Sequence, residues 1–326
     1  MHVVTFGEAM IRLTPADHRR LEQAYALDVE IGGAELNTAV GLARLGRKAT
    51  WVSRLTDNPL GRLIVNRARE AGVSTEGVLF TEQDRVGVYF LEQGAAPRAS
   101  GIVYDRANSA MARIRPGMIK WAQLLAGANW FYVTGITAAL SPASAAATLE
   151  ALQAAKTAGL TTCLDPNYRA KLWTVDEARA WLREAIPHVD VLVTNPEDAG
   201  RFFDAPGGDT EKAAADLAHR FNLVAVAVTM RQTPSVWRNT VSAVGFAGGR
   251  VVRSPSYEVE VVDRLGSGDA FVAGLLHGLL DGDLDRAVAY GTAMSALKHT
   301  IPGDFPWLTR AEVEALIQGG SLRVSR

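Results

Sequence analysis

One carboxylate of this chain stands directly after a glycine-rich turn, in the segment VVDRLGSGDAF at residues 261–271. The turn Gly266-Ser267-Gly268 precedes an apolar helical pattern, and the backbone N–H groups at a helix start are unpaired and carry partial positive charge. Glycines there let the backbone approach an anion such as a phosphoryl group closely. Asp269 would repel that anion, but it makes chemical sense as a base that removes a proton from an attacking hydroxyl group. The alternative from these residues alone is that Asp269 only caps the helix.

Two further segments carry residue types that suit a phosphoryl-transfer site. Gly32-Gly33 precede a helical pattern that contains Asn37, and such a glycine pair serves either a close-approaching ligand or simply a tight turn. Asn195, Glu197 and Asp198 follow an apolar strand-like run at 190–193. Their oxygen atoms suit Mg²⁺, although acids are also favoured in the first turn of a helix for electrostatic reasons alone.

The elements that must position these residues alternate between apolar strands and helices. Helical patterns are predicted at 36–45, 59–71, 142–158 and 175–186, and strands at 3–6, 50–52, 130–133, 161–164, 189–193 and 223–228, with another strand ending near Val262. Most of these strands are apolar on both faces, which predicts a mostly parallel sheet covered by helices on both sides. The fold class is therefore a doubly wound α/β domain that spans residues 1–326.

One region lacks helices between its strands. The runs 27–31, 86–92 and 101–104 read as strands of a small separate sheet, so segments of about 12–32 and 86–107 are predicted to form a lid inserted in the domain. A sheet with one uncovered apolar face commonly finds a partner, which predicts a homo-oligomer formed through the lid.

Composition narrows the class of protein. The 326 residues carry a net charge of −1, so nothing predicts long-range attraction to nucleic acid or to an anionic membrane. The single cysteine, Cys163, excludes an intramolecular disulfide, and the N-terminal residues lack the pattern of a signal peptide. No apolar run is long enough to span a bilayer, and a cytoplasmic location is expected.

Taken together, GGAELNTAVGLARLG and DRLGSGDAF resemble the two motifs of the ribokinase-like (PfkB) family of carbohydrate kinases, in the same order. The resemblance implies an ATP-dependent kinase with Asp269 as the base and Gly266, Ser267 and Gly268 as the anion hole. The family's Asn-x-x-Glu motif, which organises Mg²⁺, corresponds to Asn195 and Asp198, with Glu197 as the alternative acid. In some relatives a monovalent cation such as K⁺ binds near the residue that corresponds to Asp263, and the sequence leaves this open.

Within the family the chain resembles the kinases of 2-keto-3-deoxygluconate. That resemblance implies contacts with a sugar acid from the residues Gly33, Asn37, Tyr89, Tyr104, Arg106, Arg169, Asp269 and Asp304. Arginine forks suit a carboxylate, whereas a neutral hexose gives them little reason to converge. Each residue also has an ordinary structural explanation, such as a solvated arginine, a tyrosine that packs the lid sheet, or an aspartate that caps a turn.

The predicted mechanism has the lid close over the sugar acid while Asp269 takes the proton of its terminal hydroxyl group. The adenine is expected against Val244, Gly245 and the helix at 284–299. The alternatives are a PfkB kinase for another sugar, such as fructose or a related deoxy-ketogluconate, and a non-catalytic sugar- or nucleotide-binding protein. A dehydrogenase is disfavoured because no G-x-G-x-x-G follows the first strand.

Overall fold

Short apolar strands form the centre of the protein, and the computed structural model describes residues 1–320. The strands of these residues are β1 His2–Phe6, β2 Met10–Thr14, β3 Asp28–Gly32, β4 Lys48–Thr56, β5 Ser74–Thr81, β6 Val88–Glu92, β7 Gly101–Asp105, β8 Trp130–Thr134, β9 Thr161–Asp165, β10 Val191–Thr194, β11 Ala225–Ser235, β12 Arg238–Ala247, β13 Arg250–Arg253 and β14 Tyr257–Glu260. The helices are α1 Ala34–Arg44, α2 Pro59–Glu70, α3 Trp121–Leu124, α4 Gly135–Ala138, α5 Pro142–Thr157, α6 Val175–Ala185, α7 Pro196–Phe203, α8 Thr210–Arg220, α9 Ser267–Leu279, α10 Leu284–Lys298 and α11 Arg310–Ile317.

The large sheet has the order β13-β12-β11-β10-β9-β8-β1-β4-β5, with β14 also paired to β12. The seven strands from β11 to β5 are parallel, whereas β12 runs antiparallel to β11 and to its other neighbours. The chain leaves β1 toward β4 on one side and later returns through β8 on the other. This reversal of strand order is the kind of point at which doubly wound sheets bind ligands, at the carboxyl edge.

Alternate residues of each parallel strand enter two different cores. Val3 of β1 packs with α1, α9 and α10, whereas its neighbour Val4 packs on the opposite face with α5 and α6. Val191 and Leu192 of β10 divide in the same way. Burial on both faces explains why these strands are continuous apolar runs, and it confirms the predicted doubly wound α/β fold. No helix within residues 1–320 combines the length and apolar character needed to cross a membrane.

Some predicted boundaries are wrong at the C-terminal half of the sheet. The strand expected at 223–228 is β11, which starts at Ala225 and continues to Ser235, and the strand expected to end near Val262 is β14, which ends at Glu260. The antiparallel strands β12 and β13 were not predicted. Their residues are partly polar and partly exposed, so they lack the apolar signal of the parallel strands.

The predicted small separate sheet is present, with the strand order β3-β2-β6-β7. Its pairing register places a polar row on one face, formed by Glu30, Arg12, Tyr89 and Tyr104. The other face carries an apolar row, formed by Val29, Leu13, Phe90 and Val103. Because side chains alternate along a strand, the two rows lie on opposite faces of the sheet.

Candidate active site

A cleft of about 860 Å³ lies at the carboxyl edge of the large sheet, beside the start of α9. It is lined from the loops after β9 and β10 and from the turn before α9. The predicted site residues that border this cleft are Arg169, Asn195, Glu197, Asp198, Gly266, Ser267, Gly268 and Asp269. The structure therefore brings the expected anion hole, base and metal-organising residues to one cleft.

Gly266 is the N-cap of α9 and has a φ of 78°, in the left-handed region that favours glycine. A Cβ atom at this position would lie 2.0 Å from the carbonyl oxygen of Asp304. Ser267 closes the turn through its Oγ, which donates to the carbonyl oxygen of Arg264 at 2.9 Å. Gly266 therefore needs to be glycine, whereas the exposed Gly268 faces open space.

Asp269 lies in the first turn of α9, where its side chain is half-buried at the cleft. The Nδ2 of Asn37 donates to the Oδ2 of Asp269 at 2.7 Å, and the Oγ1 of Thr38 donates to its backbone oxygen at 3.3 Å. Burial raises the pKa of Asp269 to about 6, against the opposing effect of the Asn37 hydrogen bond. A carboxylate with this pKa is ionised near neutral pH and still basic enough to accept a proton.

The segment that carries Asn37 is anchored to the sheet by Glu35, a residue that the sequence reasoning did not single out. The Oε1 of Glu35 accepts from Thr134 Oγ1 at 2.7 Å and from Thr137 Oγ1 at 2.8 Å. Burial raises the pKa of Glu35 to about 7. Gly33 packs against this region so closely that a Cβ atom there would lie 2.1 Å from the backbone oxygen of Glu8. Glu35 therefore positions α1, and through it Asn37, against β8.

The two acids after β10 occupy different environments. Arg201 pairs with both acids, but Glu197 is 74% exposed, whereas the side chain of Asp198, whose Oδ1 lies 3.3 Å from Arg201 Nη1, is only 9% exposed. The Oδ2 of Asp198 accepts from Asn195 Nδ2 at 3.0 Å. Burial raises the pKa of Asp198, and it raises that of Asp165, at the end of β9, to about 7 with a further contribution from Asp198. Two carboxylates that destabilise each other's charge are suited to share a cation.

The polar row of the small sheet reaches the same region. The Tyr89 hydroxyl donates to Asp304 Oδ2 at 2.6 Å, and Arg12 Nη1 contacts Asp304 Oδ1 at 2.7 Å. Arg12 also contacts Asp263 Oδ2 through Nη2 at 2.6 Å, and its side chain is 2% exposed. Tyr104 lies beside Tyr89, with ring centroids 5.8 Å apart. Both carboxylate oxygens of Asp304 therefore contact the small sheet, and a buried ion pair joins that sheet to the turn before α9.

The two predicted carboxylate-binding arginines differ in how far they are already paired. Arg106 donates through Nε and Nη2 to the Oε2 of Glu8, which lies between β1 and β2. Its guanidinium also lies 5.7 Å from the ring centroid of Tyr104. Arg169 is exposed, and its one hydrogen bond within residues 1–320 is to the backbone oxygen of Tyr168. Lys171, which the sequence reasoning missed, lies 5.8 Å from the same Tyr104 ring.

Comparison with known proteins gives the family. Residues 1–305 match the sequence profile of the pfkB family of carbohydrate kinases. The chain belongs to this family. It is 40% identical to a 2-dehydro-3-deoxygalactonokinase of Haloferax volcanii, over 99% of each chain. It is also 40% identical to the crystal structure of a 2-dehydro-3-deoxygluconokinase from Thermotoga maritima, with a TM-score of 0.95 over 98% of each chain. A 2-dehydro-3-deoxygluconokinase of Bacillus subtilis is 27% identical, over 96% of this chain and 94% of its own.

This pfkB carbohydrate kinase is an ATP-dependent sugar kinase. Its cleft also contains two arginines that the sequence analysis did not predict. Arg231 and Arg264 line the cleft together with Arg169. Burial lowers the pKa of Arg231, and the charges of Arg264 and Arg169 lower it further. Among residues 1–320, none of the three guanidinium groups has a carboxylate oxygen within 4.0 Å. Guanidinium groups without carboxylate partners are suited to bind anions, and Arg231 and Arg264 suit the phosphates of a nucleotide.

The expectation for the adenine-binding residues of this kinase is partly wrong. Val244 is 3% exposed, and a Cβ atom on Gly245 would lie 2.4 Å from Val288, so both positions belong to the core under α10. The cleft is lined instead by Val241 and Ser242. The two expected residues lie toward the end of β12, whereas the cleft borders the middle of this strand, and the composition of the strand does not show which of its residues reach the cleft.

Proposed function

We propose that this kinase transfers the γ-phosphoryl group of ATP to the terminal hydroxyl group of 2-keto-3-deoxygluconate, also called 2-dehydro-3-deoxygluconate. The observation that carries the proposal is a group of cations next to the lid: Arg106 and Lys171 lie beside the Tyr104 ring of the small sheet, and the charge of Arg169 acts on Asp269. Such a surrounding favours an acid over a neutral sugar. The galacto epimer of the acid is the second candidate, because the relatives named for the two epimers are equally similar to this chain, at 40% identity.

Arg169 is the stronger candidate for the carboxylate of the sugar acid. Its guanidinium has no carboxylate partner among the described residues, it lines the same cleft as Asp269, and its charge lowers the pKa of Asp269. Arg106 already uses two of its donor nitrogens on Glu8, so its Nη1 is left for a second contact. Tyr89, Tyr104, Gly33, Asn37 and Asp304 would complete the binding surface for the sugar.

In the proposed reaction, Asp269 accepts the proton of the terminal hydroxyl group as that oxygen attacks the γ-phosphate. The bond from the γ-phosphorus to the β,γ-bridging oxygen breaks, and ADP leaves. The backbone N–H groups of Gly266, Ser267 and Gly268 would donate to the developing negative charge. Asn37 holds the Asp269 carboxylate and favours its ionised form before the proton is transferred.

The acids of the cleft fit Mg²⁺, which binds few carboxylates and keeps several of its waters. Asp198 and Asp165 would hold the ion, with Asn195 orienting Asp198, whereas Glu197 is directed to Arg201 and solvent. When bound, Mg²⁺ neutralises charge on the phosphates. No cluster of three or more acidic, histidine or cysteine side chains suited to a metal occurs in the described residues.

We also propose that the two lid segments, at about 12–32 and 86–107, close over the sugar and carry a dimer interface on their outer face. Val29 is 46% exposed and Val103 is 57% exposed in the apolar row defined above. An uncovered apolar row that crosses four strands supports a second copy of the chain as its partner. Val103→Asp should therefore lower the mass measured by analytical ultracentrifugation, and an unchanged monomeric mass in the wild type would contradict the interface.

The function is tested by a coupled ADP-release assay with Mg-ATP and equal concentrations of 2-keto-3-deoxygluconate, its galacto epimer, fructose and ribose. We expect turnover of the keto-deoxy acids and a higher KM for them in Arg169→Ala, with any turnover of a neutral sugar unaffected. Asp269→Asn should lower kcat by about 10²–10⁴-fold, whereas Asp176→Asn, at a side chain that is 95% exposed, should not. A preference for fructose or ribose would refute the sugar-acid assignment. Near-full kcat in Asp269→Asn would refute the role of the base, and turnover of none of the sugars would point first to an untested sugar as the substrate and only second to a binding protein.

A further inference from the structure

Lys298, the last residue of α10, is a lysine with 0% of its surface exposed. Lysine is almost never fully buried unless its charge is compensated. Its Nζ donates to the backbone oxygen of Ile301 at 2.9 Å and to that of Asp263 at 3.4 Å. Among residues 1–320, no carboxylate oxygen lies within 4.0 Å of this Nζ. The ammonium group is thus bound by carbonyl oxygens, the kind of ligand that also binds K⁺ in proteins.

The backbone around Lys298 is joined to the loop that leads into the anion hole. The N–H groups of Val262 and Asp263 donate to the carbonyl oxygen of His299 at 2.8 and 3.0 Å. The Oδ2 of Asp263 accepts from the Gly303 N–H at 3.1 Å. The end of α10 therefore fixes the first residue of the loop 263–268, and the Lys298 ammonium occupies the centre of that junction.

Two buried cations, Lys298 and Arg12, supply the positive charge at this junction. Burial lowers the pKa of Lys298, while the carboxylates of Asp263, Asp304 and Asp269 act in the opposite direction. Arg12 pairs directly with Asp263 and Asp304. Two cations therefore face the three carboxylates, and the half-buried Glu30 lies beside Arg12 in the polar row. A further cation beside Asp263 would have to enter where Lys298 and Arg12 already supply the positive charge, so K⁺ does not fit this site.

We propose that the Lys298 ammonium is a built-in cation that positions the anion-hole loop, so that this kinase works without K⁺ or another monovalent cation. The inference rests on the proposed role of residues 266–268 as the anion hole. Lys298 is a positioning residue, because it contacts the loop and not the reacting atoms. Its loss should misplace the donors of the loop, which lowers kcat more than it raises the KM for either substrate.

The experiment compares the wild type, Lys298→Met and the control Lys48→Met at constant ionic strength in tetramethylammonium chloride, KCl or NH₄Cl. Methionine removes the charge and keeps much of the length, and Lys48 is exposed at the amino end of β4, opposite the cleft. We expect wild-type and Lys48→Met kcat values that agree within about twofold in all three salts, and a Lys298→Met kcat at least about tenfold lower in tetramethylammonium chloride. KCl or NH₄Cl should restore part of that loss, because a small cation can enter the vacated position.

Thermal melting of the substrate-free proteins in the same salts gives a second readout. KCl and NH₄Cl should raise the melting temperature of Lys298→Met above its value in tetramethylammonium chloride, but not that of the wild type. Activation of the wild type by KCl of about tenfold or more would overturn the proposal, as would a Lys298→Met kcat equal to that of the wild type. If Lys298→Met does not fold, the kcat of the wild type in the three salts decides whether the kinase works without a monovalent cation. If no sugar is turned over, the proposed function fails, while the melting data still test the built-in cation.

Discussion

Replacing Asn37 with leucine should change the pH dependence of catalysis rather than only its rate. The Asn37 Nδ2 donates to Asp269 Oδ2 at 2.7 Å and favours the ionised form of that carboxylate. A hydrogen bond to a charged group contributes about 1.5–3 kcal/mol, and one pKa unit corresponds to about 1.4 kcal/mol. Losing the bond should therefore raise the pKa of Asp269 from about 6 to about 7–8. A base is active only when it is deprotonated, so the activity of the variant should fall off at a higher pH than that of the wild type.

The expected loss follows from the ionised fractions. Near pH 7, about nine-tenths of Asp269 is ionised in the wild type and about one-half to one-tenth in Asn37→Leu, which gives a loss of about 2–10-fold. Near pH 6 the loss grows to about 6–50-fold, and near pH 9 it nearly vanishes. Loss of a contact between Asn37 and the sugar would lower the activity by the same factor at every pH. The pH profile therefore separates that loss from the loss caused by the shifted pKa of Asp269.

The assay measures kcat/KM for the sugar acid from about pH 5.5 to about pH 9 at saturating Mg-ATP, with coupling enzymes in excess. Thr38→Val is the matched control, since the Thr38 hydroxyl contacts the backbone oxygen of Asp269 and not its carboxylate. This control should keep the wild-type midpoint even if its rate is lower. If the ratio of the wild-type kcat/KM to that of Asn37→Leu stays constant across this pH range, two assignments are refuted. Asp269 would then not cause the loss of activity at low pH, and Asn37 would not set the pKa of Asp269.

Three further substitutions test other parts of the site. Gly266→Ala should lower the melting temperature, and it should lower kcat by about 10²-fold or more, because the new Cβ atom would meet the Asp304 carbonyl oxygen. Gly268→Ala is the control, since its Cβ atom would face open space, and it should keep the melting temperature. Arg231→Met should raise the KM for ATP several-fold with little change in kcat, and equal KM values in steady-state kinetics would contradict a phosphate contact. Tyr89→Phe removes the donor to Asp304 Oδ2 and should lower the free energy of unfolding in urea by about 1–3 kcal/mol; an unchanged value would show that the bond is not needed.

The parallel core could be predicted from the sequence because burial on both faces leaves an unmistakable pattern. Strands β8 and β9 were predicted to within one residue, and α5 to within one residue, where Ser141 caps a helix that starts at Pro142. The extension of β11 was missed since it runs through Arg231, Gln232 and Pro234, which carry no strand signal. A strand can therefore be predicted from local sequence only where its burial imposes a recognisable apolar pattern.

Some residues of the site could be predicted from local sequence, and others could not. Asp269 and its glycine-rich turn were predictable, because their chemistry depends on neighbours in the chain. Arg12 and Lys298 were not, because a charged residue in isolation predicts an exposed position. Arg12 meets Asp304 across 292 positions of sequence, and only the assembled fold brings the two together. Their burial depends on compensation by carboxylates from other segments, which no local pattern reports.

The position of Arg12 links the lid to the chemistry of the cleft. Its strand, β2, lies inside the small sheet between β3 and β6, yet its guanidinium holds both Asp263, at the start of the anion-hole loop, and Asp304, whose backbone packs on Gly266. Breaking a buried ion pair costs about 3–5 kcal/mol, so movement of the lid is least costly where β2 stays in place. The edge strand β7, which is mostly exposed and carries Tyr104, has no such tie. Opening of the site should therefore begin at β7, while Arg106, which is paired with the buried Glu8, and the anion hole keep their geometry.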